Sequence, residues 1–202
     1  MRRLLAALTA TLAATAALLA FAQPAQAAVN LVYANTTGTT RLAASGLTVQ
    51  IPTSVVRLAV DADTTQPTSP LTGTIEIPDF PVHLALDGVP SATAIVRIVP
   101  QSDLTGTVNW TAGTATITVP FVIRVIRLYP DAQPNVNLVG TGCTTAPTSA
   151  TLTSDPPIVV NAPLAFHGVY TIPAFSGCGR LTPLLTGALS GGGNTLTLNL
   201  VP

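Results

Sequence analysis

The chain has 202 residues, 48% of them hydrophobic and only 8% charged, with eight arginines, eight acidic residues and no lysine. Lacking lysine, it is excluded from Schiff-base catalysis and from the P-loop mode of phosphate binding, both of which need the ammonium group. Without a basic patch it also lacks the electrostatic footprint of a nucleic-acid binder.

Residues 1–27, MRRLLAALTATLAATAALLAFAQPAQA, put Arg2 and Arg3 ahead of an Ala/Leu run and end in Ala25-Gln26-Ala27. Basic, then apolar, then small is the order of a secretory signal with an A-x-A cleavage site. Cleavage leaves residues 28–202, expected to form a single all-β domain, with 129–135 as the stretch where a subdomain break would fall. This portion carries six arginines against eight carboxylates, a formal charge of −2, and has no apolar run long enough for a transmembrane helix. The expected location is extracellular or on the cell surface, with no integral membrane insertion after the signal is removed.

From residue 29 onward, short runs of Val, Ile, Thr and Leu are cut by Pro, Gly, Asn and Asp, which is the grammar of an all-β protein. Strands are predicted over 29–34, 39–51, 54–62, 72–77, 81–86, 92–99, 105–111, 114–128, 136–140, 149–153, 158–160, 164–172 and 195–201, with 63–70 and 129–134 as connections. The 18 prolines suit strand ends and loops and oppose long helices.

The clearest local unit is TGTVNWTAGTATITV. With Ala112-Gly113 as a tight turn, Thr111 faces Thr114, Asn109 faces Thr116 and Thr107 faces Thr118 on one side. Trp110 then faces Ala115, Val108 faces Ile117 and Gly106 faces Val119 on the other. The apolar set goes to a core and the Thr/Asn set to water, as a two-residue period requires. A half-buried antiparallel hairpin of this kind predicts an antiparallel β-sandwich, immunoglobulin-like or of similar Greek-key architecture. The stretch 121–128 is apolar on both faces apart from Arg124 and Arg127, so it continues the strand through a sheet or bends from one sheet to the other near Pro120.

One short helix is predicted near the C-terminus, starting at Thr182-Pro183, with Leu181, Leu184, Leu185 and Leu189 on one face. Gly191, Gly192 and Gly193 read as its stop, and Leu196, Leu198 and Leu200 as alternating into the core from the strand that follows. As a phosphate cradle the glycines fail, because they follow a helix instead of opening one.

Cys143 and Cys178 are the two cysteines, and a pair in an exported chain most simply forms one disulfide. Closing that 36-residue loop is worth about 3 to 4 kcal/mol in the chain-entropy treatment. The run IPAFSGCGRLTPLLTGALSGGGNTLTLNLVP, with GTGCTTAPTSATL around Cys143, resembles secreted actinobacterial β-sandwich proteins of uncharacterised function. The likeness covers the last third of the chain and implies export and the Cys143–Cys178 bridge; it brings no activity and no functional residue.

The remaining candidates are weak in chemistry. DADTT at 61–65 matches the short D-x-D-x-T pattern of haloacid dehalogenase-type phosphatases, but the all-β signal and the missing lysine leave it as a polar turn. Asp61 and Asp63 fall short of the six or more oxygens that calcium takes. His83 and His167, in PVHLAL and LAFHGVY, have apolar neighbours and are expected to be structural. No G-x-S-x-G elbow is present, and Glu76, Asp79 and Asp87 as a glycosidase pair would lack aromatic platforms. Thr107, Asn109, Thr111, Thr114, Thr116 and Thr118 form a ladder that reads as a solvent face or as a flat hydroxyl surface for polysaccharide or ice.

No catalytic residue, cofactor or metal site is therefore expected. The predicted role is a secreted, non-catalytic cell-envelope or extracellular module that binds surface glycan, lipid or another protein. Two alternatives stand beside it: a small secreted hydrolase using His83 or His167, and a structural surface protein that self-assembles through exposed strand edges.

Overall fold

The computed structural model describes residues 28–61, 66–86, 89–159 and 161–202, so the predicted signal, residues 1–27, lies outside the described residues. Within them the strands are β1 Ala28–Arg41, β2 Thr48–Asp61, β3 Thr68–Glu76, β4 Phe80–Leu86, β5 Val89–Pro100, β6 Leu104–Asn109, β7 Thr114–Pro130, β8 Thr144–Thr145, β9 Thr148–Ser154, β10 Leu164–Ile172, β11 Phe175–Ser176 and β12 Gly191–Leu200. A 3-10 turn at Gly179–Leu181 leads into α1, Thr182–Leu189.

The chain is all-β as expected, but the architecture is not a sandwich. β7 pairs antiparallel with β6 through Thr107↔Thr116, and on its other side with β9 through Thr116↔Thr153. The second pairing closes the ring β7-β6-β3-β2-β1-β12-β10-β9 into an eight-stranded antiparallel barrel. Sandwiches and barrels require the same alternation along each strand, so periodicity does not separate them.

Closure needs strands that coil tightly, and glycine supplies this on both sides of the closing pair. Gly106 on β6 and Gly168 on β10 occupy inward positions, where a Cβ would lie 2.0 Å from the Thr116 carbonyl oxygen and 2.2 Å from that of Thr151. Only a residue without a side chain allows neighbouring strands to approach so closely.

β7 serves two structures. Its first half lies in the barrel wall, whereas residues 121–130 pair with β5 from Pro100↔Phe121 to Ala92↔Pro130, and Arg124 pairs with Thr144 of β8. Of the two courses expected for 121–128, the strand continues through Pro120, and its partners change along its length. The β4–β5 hairpin covers one barrel end: Phe80 and Ile98 line an apolar space there together with Thr40, Ile51, Leu196 and Leu198.

The hairpin register differs from the predicted one. Asn109 faces Thr114, Thr107 faces Thr116 and Thr105 faces Thr118, so the loop holds four residues, not two. Asn109 Oδ1 accepts the Ala112 N–H at 2.9 Å and Gly113 takes φ +65°, which favours the wider turn. A shift of two residues preserves which side chains face the core.

At the C-terminal end, α1 forms where expected, with Leu185 and Leu189 buried. Eight residues would not hold a helix alone. Thr186 Oγ1 accepts from the Phe175 N–H, Ser190 Oγ donates to the Pro173 carbonyl, and the Cys143–Cys178 disulfide is fully buried beside it. Gly191, Gly192 and Gly193 do not simply stop the helix: they open β12, where Ile172 faces Gly191. Asn194, fully buried, accepts the Ala43 N–H at 2.9 Å and donates to the Tyr170 and Gly191 carbonyls.

Three predicted strands fail for local reasons. In 136–140, Asn137 Oδ1 accepts the Leu128 and Val139 N–H groups and replaces a ladder partner. Ile158 makes one backbone bond to Gly113, and residue 160 lies outside the described residues. The predicted 39–51 is split by a turn in which Leu42 and Leu47 bond at 2.8 Å.

Candidate functional site

The barrel end opposite the β4–β5 hairpin is formed by strand termini and holds a cavity of about 160 Å³. Leu31 and Tyr33 of β1, Leu58 and Val60 of β2, Leu71 of β3 and Val108 of β6 form its wall, and Val29, Trp110 and Ile158 its outer rim. These residues face inward because alternation puts every second side chain of each barrel strand inside. Eight strands leave an interior that side chains just fill or that holds one small ligand. An apolar engineered cavity of about 150 Å³ stays dry and binds benzene, so this volume suits one small apolar group.

The rim reaches the surface at Val29, which is 39% exposed. Trp110 turns its indole N–H to Ser69 Oγ at 2.8 Å, leaving the carbon face of the ring to the cavity. Tyr33 is buried, and desolvation pushes its phenol above the ordinary range, keeping it a neutral donor. Sequence reasoning did not single out this site. The inward parity of Leu31, Tyr33, Val108 and Trp110 was legible, but a space between them arises only when the ring closes.

Both histidines point outward, between the apolar neighbours that the sequence places beside them. His167 lies with Nδ1 3.4 Å from Asp155 Oδ1, both side chains exposed. His83 belongs to a more ordered group. Buried Thr93 donates its only hydroxyl proton to Asp131 Oδ1 at 2.7 Å, so the 2.9 Å contact to His83 Nδ1 requires the imidazole to donate. Neutral His83 therefore carries its proton on Nδ1 and keeps Nε2 as an acceptor. The Ser91 and Thr93 hydroxyls hold the Asp131 carboxyl below its usual range.

His83 also lines a cleft with Ser45, Gly46, Leu47 and Leu189. In the order Ser91–Asp131–Thr93–His83 the serine hydroxyl donates to the carboxylate and not to the imidazole, so His83 does not activate Ser91 as a nucleophile.

Other sequence candidates are dispersed. Glu76 pairs with Arg57 at 2.5 Å and Asp79 with Arg97 at 2.6 Å, so they do not form a carboxylate pair, and Asp87 lies outside the described residues. Asp61 ends β2, and the rest of DADTT, with Asp63, lies outside the described residues.

The threonine ladder takes a different course from the hairpin alone. Thr72, Thr105, Thr118 and Thr151 face one another across four adjacent strands, and Thr107, Thr116 and Thr153 across three. Thr111 sits in the turn instead, and Asn109 and Thr114 end the hairpin. These hydroxyls follow the curved barrel wall, not a flat sheet. Among the described residues no group of three or more His, Cys, Asp and Glu side chains is placed to hold a metal, and no helix is long and apolar enough to cross a membrane.

No protein family, curated protein or solved structure compared with the chain matches it.

Proposed function

We propose that this is an exported, non-catalytic binding protein that takes a small apolar ligand, or the apolar chain of a lipid, into the open end of its barrel. The observation that carries this reading is the cavity of about 160 Å³, walled by aliphatic side chains and reaching the surface at exposed Val29. Exposed apolar surface continuous with an apolar cavity is characteristic of a ligand entrance. The signal-like residues 1–27 and the Cys143–Cys178 disulfide favour action outside the cytoplasm.

Trp110 is the chain's single tryptophan and lines the cavity, which makes its emission a direct test. Brominated aliphatic chains should quench it saturably, at low and high salt alike, since among the described residues no charged side chain lines the cavity. Unchanged emission, together with co-sedimentation on cell-wall polysaccharide but not on lipid vesicles, would overturn the reading.

A second reading, hydrolysis through His83, draws on the Asp131–Thr93–His83 relay, which leaves Nε2 as a proton acceptor beside a cleft. Ester turnover that disappears in His83→Ala would favour it; equal turnover in both proteins would remove it.

A further inference from the structure

Two tyrosines face the barrel interior, and their hydroxyls stand in different surroundings. Thr40 Oγ1 donates to the Thr195 carbonyl at 2.9 Å, so Tyr170, 2.8 Å away, donates to Thr40 and is satisfied. Tyr33 is only 2% exposed, and its hydroxyl makes no hydrogen bond among the described residues. Every fully enclosed polar side-chain atom among those residues does have a partner, so the Tyr33 hydroxyl is not fully enclosed, and Tyr33 is one of the residues that line the cavity. Buried tyrosine hydroxyls ordinarily find a partner, and one that does not calls for an explanation.

The cavity offers little else that is polar. The Trp110 N–H is committed to Ser69, and the other wall residues are aliphatic. A water entering beside Tyr33 would meet one partner where a buried water typically needs two to four. Among the described residues no arginine lines the space, so an ionised headgroup would be buried there without a counter-charge. What fits is an apolar body carrying one uncharged hydrogen-bond acceptor.

We propose that the Tyr33 hydroxyl is the polar recognition element of the cavity and that the ligand is a neutral aliphatic ketone, ester or ether, not a plain hydrocarbon or a carboxylate. This rests on the apolar-ligand reading above and sharpens it. The hydroxyl donates to the ligand oxygen, and the chain on either side fills the space between Leu31, Leu58 and Val108.

The test compares 2-heptanone with its hydrocarbon isostere 2-methyl-1-heptene and with heptanoate, by Trp110 fluorescence and calorimetry, in the wild type and Tyr33→Phe. The wild type should bind the ketone more tightly than the alkene and heptanoate weakest of all. Tyr33→Phe should lose about tenfold of the ketone affinity and keep that for the alkene, as expected for one neutral hydrogen bond. Free of ligand, Tyr33→Phe should melt about 2–4 °C higher, because it removes an unsatisfied hydroxyl. A merely structural tyrosine would not raise stability while lowering affinity for the oxygen-bearing ligand alone. Equal binding of ketone and alkene, or a ketone affinity indifferent to Tyr33→Phe, would overturn this proposal and leave the apolar-cavity reading standing. Failure of all three probes to bind would overturn both.

Discussion

Trp110 Nε1 donates a 2.8 Å hydrogen bond to Ser69 Oγ, and that bond anchors the indole at the rim of the barrel cavity. Trp110 follows β6 and Ser69 sits at the start of β3, so the bond also ties a turn to the neighbouring barrel strand. The backbone reinforces it, since the Trp110 N–H donates to the Pro67 carbonyl at 3.0 Å.

Ser69→Ala should therefore leave the indole N–H to find solvent. Urea unfolding is expected to show a loss of about 1 kcal/mol, and Trp110 emission should shift to the red. An unchanged emission maximum would mean that apolar packing alone sets the ring position.

Barrel closure can be tested at its two close approaches. Gly106→Ala and Gly168→Ala each drive a Cβ into a backbone carbonyl and should each destabilise by about 3 kcal/mol, the upper range for overpacking. Gly187, within α1, has nothing within 4 Å of its notional Cβ, so Gly187→Ala should stabilise by about 0.5–1 kcal/mol. Chemical denaturation of the three variants checks both signs together.

The disulfide joins Cys143 to Cys178 across 35 positions, tying the segment before β8 to the start of α1. Replacing both cysteines by alanine should cost about 4 kcal/mol, through the wider freedom of the unfolded chain. Reduction of the wild type by dithiothreitol, followed by melting, should reproduce most of that loss if the bridge acts mainly on the unfolded state.

Asp131 provides a pH-dependent signature. Its folded-state carboxyl is held low by the Ser91 and Thr93 hydroxyls, so its contribution is present above the unfolded value near ~3.9 and is lost as pH falls through the lower folded value. Asp131→Asn should be less stable than the wild type at pH 7, and the gap should close as pH falls through the lowered folded-state value. Nitrogen NMR of the neutral wild type should find the His83 proton on Nδ1; a proton on Nε2 would break the assigned relay.

Much of the local structure could be read before any fold was known. Alternation identified the strands and the inward faces of β6, β7 and β12, and the helix at 182–189 followed from Pro183 and the spacing of its leucines. The turn at 110–113 was misjudged by two residues because the Asn109 side chain bonds its own loop, an effect weaker in sequence than an Ala-Gly pair. Gly106 and Gly168 were the unread clue to the barrel: glycine at an inward strand position marks a close approach, which a sandwich strand seldom needs.

By itself, then, the amino-acid order determined the secondary structure class, the side each residue faces and the pairing of its two cysteines, since these depend on neighbours along the chain or on a count of two. Only the tertiary structure decided that Thr116 meets Thr153, that β7 joins barrel and hairpin, and that Tyr33 lines an apolar cavity. Those relations join residues far apart in sequence, and alternating patterns that bury the same faces are satisfied equally well by open and closed sheets.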